Sequence, residues 1–205
     1  MRRGRLIAFE GGEASGKSTQ AATLAERLDA LVTREPGGTA VGRRVRDVVL
    51  DPEAAGLHPR AEALLVAADR AQHVAEVVAP ALAAGRDVVT DRFSGSTLAY
   101  QGYGQGLALD DLVWLSGWAS DGLEPDLVVL LEVDPVVAAA RQGGRALDRL
   151  EAYDAEFHER VRDGYRALAR ADRERWVVVD GNGSESEVAA RVWEAFSAWL
   201  EQTER

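Results

Sequence analysis

The chain has little of three things: cysteine, lysine and long apolar runs. It has no cysteine, so neither a disulfide framework nor a thiolate metal site can form. Its apolar runs, of which the longest is residues 127–131, are far shorter than the ~20 residues that span a bilayer. The apolar stretch after the basic start is also too short for a signal-peptide core. These absences predict a cytoplasmic protein with no membrane contact.

The charge balance is acidic, with 24 basic against 34 acidic residues and a net charge of -10. Binding to a nucleic-acid polymer needs a broad basic surface, so this class of partner is disfavoured, although a local arginine cluster suits a small anionic ligand. A length of 205 residues with 46% hydrophobic composition predicts one domain over residues 1–205.

The one lysine, Lys17, lies in a glycine-rich run, and every other basic residue is arginine. The run matches the pattern Gly, any four residues, Gly-Lys-Ser/Thr, in which backbone amides hold phosphates, lysine reaches the terminal ones and the hydroxyl binds Mg²⁺. An ammonium is a compact point charge that a planar guanidinium does not replace. We therefore predict a nucleoside triphosphate site formed by Gly11, Gly12, Glu13, Ala14, Ser15, Gly16, Lys17, Ser18 and Thr19.

Short apolar runs alternate with helical patterns, which is typical of a parallel sheet covered by helices. The order predicts an α/β fold with a five-stranded parallel sheet and helices on both faces. Pro80 is expected to kink or divide one helix. The predicted strands are residues 5–10, 31–34, 88–91, 126–133 and 176–180. The predicted helices are residues 16–28, 41–50, 60–84, 110–120, 151–171 and 185–200, with one more opening at 134 and a glycine-punctuated segment at 95–106.

Charged residues follow the predicted strands, where the carboxyl ends of a parallel sheet surround the ligand crevice. Asp91 ends the third strand and is a candidate for Mg²⁺, and Arg92 is a candidate for a second phosphate. A rigid turn at residues 33–39 lies beside them. Residues 141–150 contain two adjacent glycines, and we predict a short mobile lid that neutralises phosphate charge with Arg141, Arg145 and Arg149.

Histidine and tryptophan point to no chemistry in this sequence. His58, His73 and His158 share no metal-binding spacing, so each is assigned to the surface or to a satisfied helix position. The tryptophans recur at helical or strand positions, where core packing or a subunit interface is the usual role.

Seven segments in order resemble the thymidylate kinase family over nearly the whole chain. The combination of Arg-Glu-Pro-Gly-Gly, Asp-Arg-Phe and Ala-Tyr-Gln-Gly separates that family from other phosphate-loop kinases. The resemblance implies a P-loop kinase fold, ATP-dependent phosphorylation of dTMP to dTDP in dTTP synthesis, Mg²⁺, and a homodimer. The segments are residues 9–20, 33–39, 67–73, 91–93, 98–102, 147–149 and 157–159.

The resemblance also implies roles for residues on the nucleotide phosphates and sugar. Lys17 and Ser18 serve ATP and Mg²⁺ with Asp91 near the ion, and Glu13 contacts the sugar 3′-hydroxyl. Tyr100 lies beneath the sugar and disfavours a 2′-hydroxyl.

On the acceptor, the family implies that Arg46 and Arg92 hold the dTMP phosphate. Glu35 lies beside that phosphate and helps to organise magnesium. Arg70, Thr97 and Gln101 read the thymine edge.

Two positions depart from the family pattern. Ala14 stands where some members carry a catalytic loop arginine, so the lid arginines are expected to supply that charge. Val66 stands where the family usually has a phenylalanine that stacks on thymine, and loss of the ring lowers base affinity by on the order of 1 kcal/mol.

Two other functions share part of this pattern, and a third lacks its motif. A kinase of another deoxynucleoside monophosphate shares every phosphate-binding feature, and a non-catalytic nucleotide-binding regulator shares the loop. A GTP-binding switch uses an Asn-Lys-x-Asp loop, which a chain whose only lysine is Lys17 does not contain.

Overall fold

The structure, a computed structural model, describes residues 2–54, 56–144 and 146–203. It confirms all five predicted strands, which form one parallel sheet in the order β2-β3-β1-β4-β5. This order puts β1 at the centre, so the loop that follows it opens in the middle of the sheet edge. The strands are β1 Leu6–Glu10, β2 Leu31–Arg34, β3 Val88–Asp91, β4 Leu127–Glu132 and β5 Trp176–Asp180.

Helices cover both faces of the sheet, as the alternating pattern predicts. None of those in the described part of the chain is long and apolar enough to cross a membrane. The helices are α1 Lys17–Leu28, α2 Ala40–Leu50, α3 Pro59–His73, α4 Ala79–Ala83, α5 Ser94–Thr97, α6 Leu109–Ala119, α7 Pro135–Gln142, α8 Ala155–Ala171 and α9 Glu185–Thr203.

The central strand is buried on both faces because successive side chains point to opposite sides of a sheet. Ile7 and Phe9 belong to the core cluster that includes residues of α1 and α9. Leu6 and Ala8 pack in a cluster with the segment between α3 and α4. A third cluster joins β4 to α8. These layers fix the carboxyl ends of the strands, where the predicted site residues lie.

The helix predicted over residues 60–84 is interrupted in front of Pro80. A π-helical segment, Val74–Val78, joins α3 to α4, and Pro80 then lies in the first turn of α4. Proline is tolerated in a first turn because its missing amide has no partner there. The predicted division therefore takes the form of a π segment rather than a break.

The glycine-punctuated segment at residues 95–106 is largely helical, which the sequence analysis did not predict. Helix α5 runs directly into a π segment, Leu98–Gly104. Its glycines permit close packing, because a Cβ on Gly102 would lie 2.5 Å from Leu109 Cδ2 and one on Gly104 would lie 2.6 Å from Phe157 Cε2. Gly102 and Gly104 therefore indicate close packing against neighbouring helices and not a flexible loop.

The predicted start of α8 at residue 151 is wrong. The helix begins at Ala155, because the Asp154 side chain caps it by accepting a hydrogen bond from the Phe157 amide at 2.7 Å. The final helix is longer than predicted and ends at Thr203.

We predict that Gly164→Ala destabilises the protein although alanine favours helices. A Cβ at Gly164 in α8 would lie 2.6 Å from Cγ of Tyr103, on the π segment. Helix propensity favours alanine by about 1 kcal/mol, and overpacking costs about 1–3 kcal/mol, so we expect a lower free energy of unfolding by about 1 kcal/mol in denaturant titrations. Adding Tyr103→Ala removes the ring but leaves Cβ of residue 103 at 2.8 Å, so it should reduce the loss caused by Gly164→Ala without abolishing it. Additive losses in the double variant would show that the two groups do not crowd each other.

Candidate active site

The glycine-rich loop connects β1 to α1 and has the backbone that phosphate binding requires. Gly11 and Gly16 have φ of +146° and +92°. A Cβ at Gly11 would lie 2.6 Å from the carbonyl oxygen of Leu131 in β4, so no other residue fits there. Because α1 begins at Lys17, its N-terminal amides and its dipole face any anion bound in the loop.

Lys17 is buried, with 6% of its surface exposed. Its Nζ donates hydrogen bonds to the Gly12 carbonyl oxygen at 2.6 Å and to Ser15 Oγ at 3.3 Å. Burial, together with the nearby Arg92 cation, lowers the pKa of Lys17 to about 8 although Glu13 and Asp91 favour its charge. The ammonium is therefore held at the loop and lacks a strong anionic partner of its own.

Ser18 and Asp91 form a pair that fits a magnesium ion. The Ser18 hydroxyl donates to Asp91 Oδ2, while Asp91 Oδ1 is buried and has no hydrogen-bond partner among the residues that the structure describes. Hydroxyl and carboxylate oxygens are the ligands that Mg²⁺ prefers, with water and substrate phosphates completing its shell. The described residues contain no cluster of three or more His, Asp or Glu that could hold a metal by themselves.

Glu13 and Arg92 join the loop to the end of β3. Arg92 Nη2 donates to Glu13 Oε1 at 2.5 Å, and Tyr100 Oη donates to the same oxygen at 2.6 Å. The Arg92 guanidinium also lies 4.9 Å from the centre of the Tyr100 ring. Burial acts to raise the pKa of Glu13, but Arg92, Lys17 and the Tyr100 hydrogen bond outweigh it and lower the pKa to about 2. The carboxylate is therefore charged at physiological pH.

A cleft of about 600 Å³ at the carboxyl ends of the strands brings most predicted phosphate-binding residues together. Arg46 Nη1 is anchored by the Pro36 carbonyl oxygen at 3.0 Å. Arg34, which the sequence predicts to lie beside the crevice but to which no role was assigned, also lines the cleft and has no ion pair with the described residues. Its place at the end of β2 was the available signal. The predicted residues that line the cleft are Glu13, Ala14, Ser15, Gly16, Lys17, Ser18, Thr19, Glu35, Arg46, Asp91, Arg92 and Arg141.

A second, narrower pocket of about 70 Å³ contains the residues predicted to read a base. Arg70 Nη2 donates to Thr97 Oγ1 at 3.1 Å, and Gln101 and Val66 complete this end of the pocket. Tyr100 and Gln101 lie on the π segment, and such segments often occur at functional sites. This pocket and the phosphate cleft share Glu13, Glu35, Arg46 and Arg92.

Glu35 is a buried anchor for two side chains of α3. Its Oε2 accepts from Arg70 Nε at 2.8 Å, and its Oε1 lies 2.9 Å from His73 Nδ1. His73 Nε2 lies 2.7 Å from Thr33 Oγ1, so this fully buried histidine is a satisfied helix residue. Glu35 lines the cleft, but both oxygens bind protein groups, and its predicted help to magnesium stays a prediction.

The two predicted lid arginines that the structure describes, Arg141 and Arg149, lie in different surroundings. Arg141, in the last turn of α7, donates from Nη2 to the carbonyl oxygens of Gly181 and Gly183 at 2.9 and 3.1 Å and lines the cleft. Arg149 is buried and pairs with Glu62, so its guanidinium is not directed to the phosphate loop and a catalytic role for it is not supported. Arg145 lies outside the described residues.

Two buried carboxylates were missed by the sequence analysis. Glu10 Oε1 accepts from the backbone amides of Phe93 and Ser96, both at 3.0 Å, and thus fixes the turn that follows β3. Glu62, in α3, accepts from Gln101 and Arg149. An acid within an apolar strand was a signal for Glu10, whereas a helical glutamate such as Glu62 carries no such signal.

Comparison with known proteins shows which family the chain is similar to. The family model described as thymidylate kinase matches residues 9–192. A thymidylate kinase of Synechococcus sp. is 52% identical over 195 residues, covering 92% of each chain. One of Deinococcus radiodurans is 47% identical over 203 residues, covering 96% of this chain and 98% of that protein. The crystal structure of thymidylate kinase from Ehrlichia chaffeensis superposes with a TM-score of 0.79 at 31% identity, covering 95% of this chain and 99% of that one. With the phosphate loop, the arginine cleft and the base pocket in place, the chain belongs to the thymidylate kinase family.

Proposed function

We propose that the chain phosphorylates dTMP to dTDP with ATP as donor and Mg²⁺ as its ion, a step of dTTP synthesis. The observation that carries the proposal is that the phosphate cleft and the base pocket share four residues. A monophosphate with its base in the narrow pocket would present its phosphate to Arg46 and Arg92. The donor phosphates would lie at Lys17, on the other side of the same cleft.

The acceptor needs no general base, because the phosphate of dTMP is already anionic near neutral pH. One of its oxygens attacks the γ-phosphorus in line, and charge spreads over the transferring oxygens. Lys17 and the cleft arginines are positioned to stabilise that charge. Mg²⁺, held by Ser18 and Asp91, would supply further charge neutralisation at the donor phosphates.

Arg141 is the described lid arginine that fits catalysis. Ala14 removes the loop arginine that some family members carry, and Arg141 Nη1 lies 3.4 Å from the Ala14 carbonyl oxygen. Its other contacts are backbone carbonyl oxygens, which neutralise no charge and release the side chain readily. We therefore assign it to the transferring phosphoryl group.

A kinase of another nucleoside monophosphate and a nucleotide-binding regulator are the alternatives. Both are separated from the proposal by measuring ADP release with dTMP, dUMP, dCMP and dGMP as acceptors. Preferred turnover of dTMP supports the proposal. Preference for another monophosphate, or ATP binding without ADP release, would refute it.

We predict that Lys17→Arg lowers kcat for dTMP at least about 100-fold although it keeps the positive charge. The loop encloses Lys17 Nζ within 2.6 Å of a backbone carbonyl, and a planar guanidinium does not fit that space. The measurement is the coupled assay of ADP formation, with circular dichroism to establish that the fold is retained. Lys17→Ala should be as inactive, and substantial activity in that variant would refute the assignment of the site.

We predict that ATP binding takes up about half a proton at pH 8. Lys17 has a pKa of about 8 in the free protein, so it is half neutral at this pH, and the approach of phosphates restores its charge. ATP affinity should accordingly fall as pH rises through 8. Calorimetry in buffers of different ionisation enthalpy measures the uptake.

Lys17→Met is the matched control for this proton uptake, since its side chain fits the space of lysine and does not titrate, and the ionisation of ATP itself is common to both proteins. Equal proton uptake by the two proteins would contradict the role of Lys17.

A homodimer is proposed from one apolar face on the layer of α2, α3 and α6. Trp114 and Trp118 in α6 are 69% and 72% exposed, and their rings stack 6.2 Å apart. Contiguous exposed apolar surface of this kind marks an interaction site, and a cyclic dimer covers it symmetrically. The other large exposed apolar residues of these helices are Val41, Val48, Leu64, Leu109 and Val113. A cytoplasmic location is proposed from the family.

We predict that Trp118→Glu lowers the mass from dimer to monomer, because a charge buried in an apolar interface has no partner. Light scattering during size-exclusion chromatography measures the mass. Val136→Glu is the control, since Val136 is 77% exposed on α7, outside this face, and its variant should stay dimeric. A monomeric wild-type protein, or a dimeric Trp118→Glu, would contradict the interface.

A further inference from the structure

Glu62 is a buried carboxylate that borders the base pocket through another residue. It lies in α3, has no exposed surface, and does not line the pocket itself. Its Oε2 accepts from Arg149, and its Oε1 accepts from Gln101 Nε2 at 2.6 Å and from Gln105 Nε2 at 3.0 Å. Each oxygen thus has its own set of donors.

This arrangement fixes which end of the Gln101 amide faces the pocket. A side-chain amide has a donor NH₂ and an acceptor oxygen on the same carbon, and the two ends are similar in shape. A carboxylate only accepts hydrogen bonds, so the NH₂ of Gln101 must turn to Glu62. Gln101 Oε1 accepts no hydrogen bond from the described residues, and it is the end left for a ligand.

We infer that Glu62 is a positioning residue that sets the base specificity of the pocket by holding Gln101 as an acceptor. The inference rests on the proposed dTMP kinase activity. Thymine and uracil carry an N–H at N3, which an amide oxygen accepts. Cytosine has a bare acceptor nitrogen at N3, which the same oxygen repels. Arg70 supplies donors beside Gln101. Thymine presents a carbonyl oxygen next to N3, so Arg70 can donate to that oxygen while Gln101 accepts from the N3–H.

The isosteric variant Glu62→Gln should reverse this polarity. Arg149 only donates, so the new amide oxygen turns to Arg149 and the new NH₂ faces Gln101. Gln101 must then present its own oxygen to residue 62 and its NH₂ to the pocket. An N–H of Gln101 in the pocket would repel the N3–H of thymine, and it would donate a hydrogen bond to the N3 of cytosine.

The test compares kcat/KM for dTMP, dUMP and dCMP in the wild type and in Glu62→Gln. We expect the dTMP to dCMP ratio to fall at least about tenfold, the size of one reversed hydrogen bond, while the dTMP to dUMP ratio stays unchanged. An effect on stability alone would lower all three values alike. An unchanged dTMP to dCMP ratio in a folded Glu62→Gln would overturn the inference.

Gln105→Ala is the matched control, because Gln105 donates to the same oxygen of Glu62 but does not line the pocket. It should keep the wild-type ratios, and an equal shift in this variant would overturn the specific role of Gln101. A wild-type protein that does not prefer dTMP would refute the proposed function itself. This result comes from the wild-type measurements alone and needs no variant.

A second measurement needs only the wild-type protein. The side-chain NH₂ of Gln101, observed by ¹⁵N NMR, should exchange slowly with solvent both in the free protein and with dTMP bound, because it stays on Glu62. Release of this NH₂ on dTMP binding would show that the amide turns over, and would overturn the inference even if Glu62→Gln does not fold.

Discussion

The ion pair between Glu13 and Arg92 is the interaction on which the geometry of the site depends. It joins residues 79 positions apart, one in the phosphate loop and one at the end of β3, and Tyr100 ties the π segment to the same oxygen. Arg92 adopts a left-handed backbone with φ of 73°, which costs a non-glycine residue on the order of 1 kcal/mol. The hydrogen bonds of its guanidinium offset that strain. The phosphate loop, Arg92 and Tyr100 are consequently held together.

The arginines of the site fall into two groups according to their partners. Arg70, Arg92 and Arg149 each pair with a glutamate, because a guanidinium removed from water without a counter-charge is costly. Arg46 and Arg141 contact backbone carbonyl oxygens and have no ion pair with a described residue, and they line the phosphate cleft. The paired arginines have their charge balanced within the protein, whereas those without a carboxylate leave net positive charge in the cleft, where the proposed activity would bind phosphate groups. An acidic protein thereby keeps a local cationic cleft.

Local patterns were sufficient for the sheet and the phosphate loop but not for the side chains behind them. Strand positions and the loop depend on neighbouring residues, so the sequence predicted β2 and β3 with their observed bounds. The Glu62–Arg149 pair spans 87 positions, and no local signal relates two such residues in an arginine-rich chain. For the same reason Arg149 was assigned to phosphate. The sequence analysis did not predict the π segment. Its glycines are required because Leu109 and Phe157 pack closely against them, and this packing is visible only in the folded structure.

Because position 66 is valine and not phenylalanine, ligand binding in the narrow pocket would depend more on its polar contacts. A phenylalanine at this position would hold a base by its face, which distinguishes aromatic from non-aromatic groups but not one pyrimidine from another. Valine lines the pocket without a ring, so in the proposed activity affinity and discrimination would both rest more heavily on polar contacts of the base edge with Arg70, Thr97 and Gln101. Edge reading requires donors and acceptors of fixed orientation. Arg70 is held by Glu35 and Gln101 by Glu62, so in the proposed activity two buried carboxylates would set what the pocket accepts.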